Sequence, residues 1–347
     1  MCAASDSMPV VHYPQHDQHD EKNMLSEGQV QPTLETPVRI YTVLDRLGSD
    51  ERFDLLPAEP IDPAELTSIH SPEYVHFLEW MSRQAQDTVD GARLIPYEFA
   101  INPLAPPPEK MNLHQAGRYC ADTITPIGPG TWQAALGAAG ATAEGARLVR
   151  QGRRCVYVAC RPPGHHAGRA RCAGFCYVNN SALAAEILSG HGSVAVLDID
   201  THHGNGTQEI FYSRGDVLFV SVHGDPAGTY PFFWGSSAEK GTGDGAGSNV
   251  NLPLAVDAGP EQWFGALDEA LGIVAGSGPQ RLVVSFGSDV RPGEPVTGGF
   301  GLDASDLTEA GRRIRSLDLP TLVVQEGGYQ PDVLAETVHS FLAGLLG

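Results

Sequence analysis

The fold is decided by the stretch Leu197-Asp-Ile-Asp-Thr-His-His-Gly-Asn-Gly206. An apolar run that begins at Val194 leads into this stretch and ends in acidic residues at Asp198 and Asp200. This pattern predicts a buried strand of a parallel sheet over residues 194–200. Side chains alternate along a strand, so Asp198, Asp200 and His202 would share one face if the extended backbone continued. Polar residues at the carboxyl end of a buried strand are typical of sites in α/β folds.

A second histidine pair lies upstream, in Arg161-Pro-Pro-Gly-His-His166. Carboxylate oxygen and imidazole nitrogen suit zinc and other divalent first-row metals, so Asp200 and His202 could bind one ion. The alternative is that Asp198 and Asp200 only cap the next helix and that His202 and His203 are polar loop residues. Two histidine pairs so close in sequence favour a single-metal hydrolytic site.

Charge and composition restrict the partners. The chain has 347 residues and a net charge of −20, with lysine only at positions 22, 110 and 240. Binding to nucleic acid needs a basic patch, so nucleic acid is not expected as a partner. A cationic substrate is compatible with this charge, although acidity by itself mainly favours solubility.

Cysteine spacing and hydropathy point to a reducing, aqueous compartment. The six cysteines form no Cys-x-x-Cys pair, which argues against a structural zinc site and favours reduced thiols. The chain shows neither a charged-then-apolar leader nor an apolar run of about 18 residues. The sequence therefore predicts a soluble, cytoplasmic protein without a membrane partner. The cysteines are Cys2, Cys120, Cys155, Cys160, Cys172 and Cys176.

Helical and strand patterns alternate along most of the chain. Strands are predicted over residues 155–160, 194–200, 217–222, 282–286 and 320–324. Helices are predicted over residues 37–47, from 71 onward, and over 131–151, 178–188, 207–212, 261–275, 304–317 and 332–346. This alternation predicts one three-layer α/β domain over residues 1–347, with a mainly parallel central sheet.

Two segments lie outside this alternation. Residues 1–36 are polar and contain His12, His16 and His19, and they are predicted to be a solvated segment or a substrate-rim loop rather than a metal site. Residues 92–129 are rich in proline and show little periodicity. A long irregular stretch inside a domain is usually functional, so this one is predicted to be a loop over the pocket.

Polar groups follow five of the predicted strands, and parallel strands bring their carboxyl ends to one edge of the sheet. We therefore expect these groups to converge. They are His165 with His166, Asp200 with His202, His223, Asp289 and Tyr329.

Several motifs in register resemble the histone deacetylase superfamily, from about His70 to the end of the chain. A subset, Ser221-Val-His-Gly-Asp-Pro226 with Gly130-Thr-Trp132, is most similar to the bacterial acetylpolyamine amidohydrolases. The resemblance implies the arginase/deacetylase fold, one zinc ion and hydrolysis of an N-acyl amide. The motifs are Arg161-Pro-Pro-Gly-His-His166, Gly174-Phe-Cys-Tyr-Val-Asn-Asn180, Asp198-Ile-Asp-Thr-His-His-Gly-Asn-Gly206, Ser221-Val-His223 and Glu326-Gly-Gly-Tyr329.

The resemblance also implies a role for each matching residue. The zinc ligands would be Asp200, His202 and Asp289, which leave a coordination position open for water and the substrate carbonyl. His166 would be the general base, His165 its electrostatic partner, and Tyr329 the donor to the oxyanion. Asp198 would orient His165, and Asn205 would orient His166.

Further residues would shape the substrate tunnel. Phe175 and Tyr230 would be its aromatic walls, with Gly174 and Leu113 beside them, and such a slot suits a methylene chain. Leu113 stands where the polyamine enzymes carry an acidic residue, for which Glu98 or Asp17 could substitute. The family often holds a potassium ion as well. Here that ion would lie near Asp198, Asp200, His202, Ser221 and Val222.

Arginase shares this fold but binds two manganese ions. Its second ion needs further carboxylates, and the matching positions here are Gly204 and Gly287. The residues thus favour one zinc and disfavour hydrolysis of a guanidine group.

The sequence predicts a zinc-dependent deacetylase that acts on a small cationic acetylated amine, with an acetylpolyamine as the favoured substrate. One alternative is an acetyl-lysine deacetylase of proteins or peptides. Another is a protein that binds an acyl amine without turning it over, which the complete set of motif residues disfavours. The sequence leaves three questions open: whether the metal is zinc or iron, which acyl chain is preferred, and whether the protein forms a homodimer.

Overall fold

The apolar runs of the chain form the strands of a parallel eight-stranded sheet in the computed structural model, which describes residues 7–86, 95–100, 110–296 and 299–347. The order of its strands is β4-β1-β5-β10-β9-β6-β7-β8, and the antiparallel hairpin β2-β3 lies apart. The strands are β1 Met8–His12, β2 Asn23–Ser26, β3 Gln29–Pro32, β4 Phe53–Pro57, β5 Cys155–Ala159, β6 Val194–Asp198, β7 Val217–Gly224, β8 Asn249–Leu254, β9 Arg281–Phe286 and β10 Thr321–Gln325.

α-Helices lie between most successive strands of the parallel sheet, whereas the segment between β7 and β8 contains only a short 3-10 helix. Proline occupies the first turn of several of them, where no backbone N–H is needed for the helix. The helices are α1 Val38–Gly48, α2 Pro72–Gln86, α3 Ala116–Tyr119, α4 Thr131–Arg150, α5 Asn180–Ser189, α6 Asn205–Phe211, α7 Pro260–Ser277, α8 Ala304–Arg315 and α9 Pro331–Leu346. Short 3-10 helices lie at His16–Gln18, Pro63–Ser68, Leu113–Gln115 and Gly243–Gly245.

Two hydrophobic cores cover the two faces of the sheet. Side chains of β6 alternate between them: Val194 and Val196 face the core shared with α2, α4, α5 and α6, whereas Ala195 and Leu197 face the core shared with α1, α7, α8 and α9. A strand that is buried on both faces reads as a continuous apolar run, which is why β6 was recognisable from its sequence. The predicted three-layer α/β fold with a parallel sheet is confirmed.

Residues 7–36, the described part of the N-terminal segment, differ from the prediction of a solvated stretch. Met8–His12 is β1, an inner strand of the sheet that pairs with β4 and β5. His16 and His19 are buried, with 2% of each exposed, so the prediction of a solvated segment is wrong for this part of the chain. This burial was not predicted, because the apolar part of the segment spans only about five residues, contains Pro9 and is followed by polar residues.

The predicted loop over residues 92–129 lies partly outside the described residues, since residues 92–94 and 101–109 are not described. Its described part includes α3 and a turn in which Asp122 and Thr125 contact Gly174 and Phe175. Through Asp122 and Thr125, this loop therefore contacts Gly174 and Phe175, which were predicted to line the substrate tunnel.

None of the helices in the described part of the chain combines the length and the apolar character that a membrane-spanning helix needs. The five described cysteines are free thiols, and Cys172 Sγ lies 3.4 Å from Cys120 Sγ.

Candidate active site and metal centre

The predicted site residues follow four neighbouring strands, β5, β10, β9 and β6. The segment after β5 carries His165 and His166, and the segment after β6 carries Asp200 and His202. Asp289 follows β9, and Tyr329 follows β10. Because adjacent parallel strands end at one edge of the sheet, residues distant in sequence meet there.

β6 ends at Asp198, two residues earlier than predicted. Asp198 Oδ1 accepts a hydrogen bond from the Asp200 backbone N–H at 3.1 Å, so the chain turns at this point instead of remaining extended. Asp198 consequently points to His165, while Asp200 and His202 approach Asp289.

Asp200, His202 and Asp289 form a buried cluster in which one ligand atom from each residue lies within 4.8 Å of the others. His202 Nδ1 is 3.1 Å from Asp200 Oδ1 and 3.1 Å from Asp289 Oδ2. Asp289 Oδ2 is buried and accepts no hydrogen bond of good geometry from the described residues. An unsatisfied buried carboxylate oxygen is costly unless a cation lies nearby. Two carboxylates and one imidazole therefore fit a divalent metal such as zinc.

Glycines surround the carboxylates closely. A Cβ atom at Gly287 would lie 2.0 Å from Asp200 Oδ2, and one at Gly204 would lie 2.1 Å from Asp198 Oδ2. A Cβ at Gly327 would lie 2.4 Å from Asp289 Oδ2. Side chains at these positions would collide with groups already present. The two positions that matched the arginase carboxylates thus lack room for a second set of ligands in this arrangement.

His166 is set up as a neutral base. Its Nδ1 lies 2.7 Å from Asn205 Oδ1, an oxygen that can only accept, so Nδ1 carries the proton and Nε2 keeps its lone pair. Burial, followed by the charges of His165 and His202, holds the pKa of His166 well below 6.5. At neutral pH the ring is therefore uncharged and able to accept a proton.

His165 has the opposite electrostatic setting. Its Nδ1 lies 3.0 Å from Asp198 Oδ2, and its Nε2 lies 3.8 Å from Asp200 Oδ1. Burial disfavours its charged form, but Asp198 and then Asp200 outweigh burial and raise the pKa of His165 to about 10. Two histidines adjacent in sequence thus differ in charge because their partners differ.

The aromatic residues enclose the space above this cluster. The ring of Tyr230 lies 5.0 Å from that of His166 and 6.2 Å from that of His202, measured between centroids. The ring of Phe175 lies 5.5 Å from that of Tyr329. A Cβ at Gly174 would lie 2.3 Å from His166 Cδ2, so the backbone there passes directly against the base.

Tyr329 is held by two elements. Arg39 of α1 lies over its ring, with Cζ 4.6 Å from the centroid, and Arg39 donates to the carbonyl oxygens of Gly328 and Glu326. Glu294 accepts a hydrogen bond from the Tyr329 backbone N–H at 2.8 Å. The half-buried tyrosine therefore has a fixed backbone at the edge of the site.

Sequence reasoning missed the part played by Glu326. Its Oε2 accepts from the backbone N–H groups of Gly164 and His165, at 2.6 and 3.0 Å. Its Oε1 accepts from the hydroxyls of Ser181 and Ser285, at 2.7 and 2.9 Å. Glu326 could have been identified from the sequence, because it is an acidic residue that directly precedes the Gly-Gly-Tyr turn inside a recognised motif.

The remaining predicted site residues lie apart from the cluster. Leu113 is in a 3-10 helix and 55% exposed. Asp17, proposed as a substitute mouth acid, accepts a hydrogen bond from the Tyr41 hydroxyl at 2.8 Å, while Glu98 is exposed. His223 was expected to converge with the other strand ends. It bonds to Ser221 Oγ and the Gly235 carbonyl oxygen, and packs on His203.

Ser221 and Val222, the other residues named for potassium, are buried in β7. Ser221 pairs with Asp198 across the β6–β7 ladder. This register brings Ser221 beside the strand end that carries the ligands.

Comparison with known proteins is informative over nearly the whole chain. The family model described as histone deacetylase domain matches residues 33–345. Acetylpolyamine amidohydrolase 1 of Pseudomonas aeruginosa is 39% identical, covering 97% of this chain and 98% of the relative. Acetylpolyamine amidohydrolase of Mycoplana ramosa is 36% identical, covering 98% and 100%. The crystal structure of acetylpolyamine aminohydrolase from Burkholderia pseudomallei is 36% identical and superposes with a TM-score of 0.90, covering 97% and 98%.

Proposed function

The chain belongs to the histone deacetylase family and is a hydrolase of amide bonds, and we propose that it removes the acetyl group from acetylated polyamines. The observation that carries this proposal is the Asp200, His202 and Asp289 cluster, with the ring of Tyr230 close to that of His202. The names of full-length relatives support the polyamine as substrate. An aromatic slot accepts a methylene chain, while the net charge of −20 suits a cationic amine.

We infer that zinc is the resident metal, held by Asp200, His202 and Asp289. A divalent cation there supplies Lewis acidity toward the acyl carbonyl oxygen and toward water. The donor set of two carboxylates and one imidazole supports this choice, with iron as the competing metal. A potassium ion near Asp198 and Ser221 is a further prediction, supported by their burial and pairing.

The residues around the cluster supply the proton transfers. His166 accepts the proton of the attacking water at Nε2, because its Nδ1–H is committed to Asn205. His165, charged beside Asp198, stabilises the negative charge that develops and can return a proton to the leaving amine. The hydroxyl of Tyr329 donates to the acyl oxygen as it becomes an oxyanion. Phe175 and Tyr230 orient the methylene chain and exclude water.

The test is a deacetylation assay on the metal-loaded protein. It compares acetylated putrescine, cadaverine and spermidine with an acetyl-lysine peptide. We expect the polyamines to have the higher kcat/KM by about tenfold or more, which corresponds to 1.4 kcal/mol of discrimination.

A preference for the peptide would move the assignment to an acetyl-lysine deacetylase. Absence of turnover with every substrate, in protein that contains stoichiometric metal, would leave only a role in binding. Asp289→Asn serves as the matched control, because it removes one ligand charge with almost no change of volume.

A further inference from the structure

Asp122 is a half-buried carboxylate that the chemistry above does not use. Its Oδ2 accepts from the Gly174 backbone N–H at 2.7 Å and from the Tyr230 hydroxyl at 2.8 Å. Its Oδ1 accepts from Thr125 Oγ1 at 2.7 Å and from the Ile124 backbone N–H at 3.1 Å. One side chain thus receives four hydrogen bonds from three segments of the chain.

Two of those segments carry the aromatic rings over the site. Phe175 follows Gly174 directly, and its own backbone N–H donates to Thr125 Oγ1 at 3.1 Å. Tyr230 comes from the segment after β7. The carboxylate of Asp122 therefore connects the backbone below one ring with the hydroxyl of the other ring.

The turn at Phe175 needs such support. Gly174 and Phe175 have φ values of 54° and 65°, in the left-handed region. This region is unfavourable for a bulky residue other than glycine, because its Cβ approaches the following carbonyl oxygen too closely. The hydrogen bonds from Gly174 to Asp122 and from Phe175 to Thr125 hold both amides of the turn in place.

We propose that Asp122 is a positioning residue that fixes the separation of Phe175 and Tyr230, and thereby determines which acyl and amine chains fit between them. This inference rests on the proposed function of the site. On this proposal the hydroxyl of Tyr230 helps to shape the wall of the substrate tunnel, because it donates to Asp122 and thereby holds the ring in one orientation.

The surroundings of Asp122 indicate that it supports the two aromatic rings, a role that we call the brace. They do not favour the alternative, in which Asp122 binds the substrate's ammonium group. Burial raises the pKa of Asp122, so its charge is disfavoured, and the four donors only partly offset that burial. A carboxylate whose two oxygens already accept four hydrogen bonds has little capacity left for a cation.

The test is a double-mutant cycle with Tyr230→Phe and Asp122→Ala in the metal-loaded enzyme. Each single change should raise the KM for acetylputrescine, by about fivefold for Tyr230→Phe, which is the fold-change of one net hydrogen bond. The double variant should be no worse than Asp122→Ala, because the hydroxyl has no function once its acceptor is gone. The kcat should change little, and substrates with longer acyl chains should gain relative to acetyl.

The variant Asp122→Asn distinguishes the brace from the alternative role, in which Asp122 binds the substrate cation. With its amide oxygen in the place of Oδ2, Asn can still accept from both the Gly174 backbone N–H and the Tyr230 hydroxyl. Its amide nitrogen in the place of Oδ1 can donate to Thr125 Oγ1 and loses only the bond from the Ile124 N–H, so this variant should stay close to the wild-type KM. If Asp122→Asn instead loses binding as severely as Asp122→Ala, the negative charge matters and the brace is overturned. Additive effects in the cycle would overturn it as well. The exposed Asp257, replaced by Ala, serves as the control.

Hydrogen exchange provides a readout that does not need turnover. The Gly174 amide should exchange faster in Asp122→Ala than in wild type and remain protected in Asp122→Asn. Unchanged protection in Asp122→Ala would contradict the brace. If the wild-type enzyme hydrolyses no acetylated polyamine, the proposed function fails, while the exchange result still decides this inference.

Discussion

At the scale of single residues, the neighbouring His165 and His166 differ in charge because each ring meets a different kind of oxygen atom in its hydrogen-bond partner. Asp198 presents a carboxylate oxygen to His165, whereas Asn205 presents a neutral amide oxygen to His166. A carboxylate favours the protonated ring, and an amide does not. The site thus holds a cation and a base side by side without the two rings competing for one proton.

This difference predicts the pH dependence. The active form of His166 is neutral, and its pKa lies below 6.5, so kcat/KM should persist as the pH falls through 6.5 and be lost only at lower pH. Asn205→Asp adds a negative charge at Nδ1, which raises this pKa and should move the acid limb to higher pH. A pH–rate profile of both proteins is the measurement, and an unchanged limb in the variant would exclude His166 as the titrating base.

Removal of the base gives a second prediction. His166→Ala should lower kcat by about 10²–10⁴-fold while the metal content is retained, because the ring is a base and not a ligand. His76→Ala, on the exposed side of α2, is the control and should behave as wild type. An unchanged kcat in His166→Ala would show that His166 is not the general base.

A third prediction concerns a glycine next to the ligands. Gly287→Ala puts a methyl group 2.0 Å from Asp200 Oδ2, so the carboxylate must move. We expect metal affinity to fall about 10–100-fold, the usual cost of disturbing the support of a ligand. The control is Gly272→Ala in α7, where no heavy atom of the described residues lies within 4 Å of the new Cβ. Titration with zinc against a competing chelator measures both, and equal affinities would contradict the prediction.

At the scale of elements, sequence reasoning predicted β5, β6, β7, β9 and β10 of the eight-stranded sheet and missed the other three strands of that sheet. Each missed strand contains a proline: Pro9 in β1, Pro57 in β4 and Pro253 in β8. Proline lacks the donor that a ladder needs and argues against a strand. β4 and β8 are the edges of the sheet, where that loss is tolerated. Pro9 precedes the residues of β1 that pair with β5.

The site could be predicted from the sequence where short motifs carry it. Asp200 and His202, which we propose as ligands, lie in one motif, and they form a cluster with Asp289 in the structure. Asp122, Glu294 and Arg39 were not found, because each acts through contacts with segments far away in sequence. Such contacts leave no local pattern in a single chain, so only the fold reveals them.

The loop after β9 gives a prediction at this scale. Glu294 accepts a hydrogen bond from the Tyr329 backbone N–H at 2.8 Å, so it joins the loop of Asp289, the proposed third ligand, to the proposed oxyanion donor. Glu294→Ala should lower kcat about fivefold, the value of one net hydrogen bond, with little effect on KM. Glu294→Gln keeps an acceptor and should restore kcat. Loss of activity in both variants would show that charge, and not support of the backbone, is what matters.

At the scale of the whole molecule, the three proposed ligands follow two different strands of the sheet, β6 and β9, so metal binding and folding should be coupled. A metal that binds only the folded chain adds about 2.7 kcal/mol of stability at a concentration one hundred times its Kd. Chelation should therefore lower the Tm, and added zinc should restore it. In Asp200→Asn the Tm should be insensitive to zinc, and a persistent shift would place the bound ion elsewhere. Thermal unfolding at several zinc concentrations measures this.

The strand order has a consequence for biosynthesis. β10 is the last strand in sequence, yet it lies between β5 and β9 in the middle of the sheet. Until it leaves the ribosome, the nascent chain can form only two separate half-sheets, β4-β1-β5 and β9-β6-β7-β8, each with an exposed edge that invites wrong pairing. Glu326 and Tyr329 follow β10 directly. Translation that stops before Thr321 thus yields a polypeptide that contains the three proposed metal ligands but cannot close its sheet, and such a polypeptide would be a substrate for chaperones or proteases.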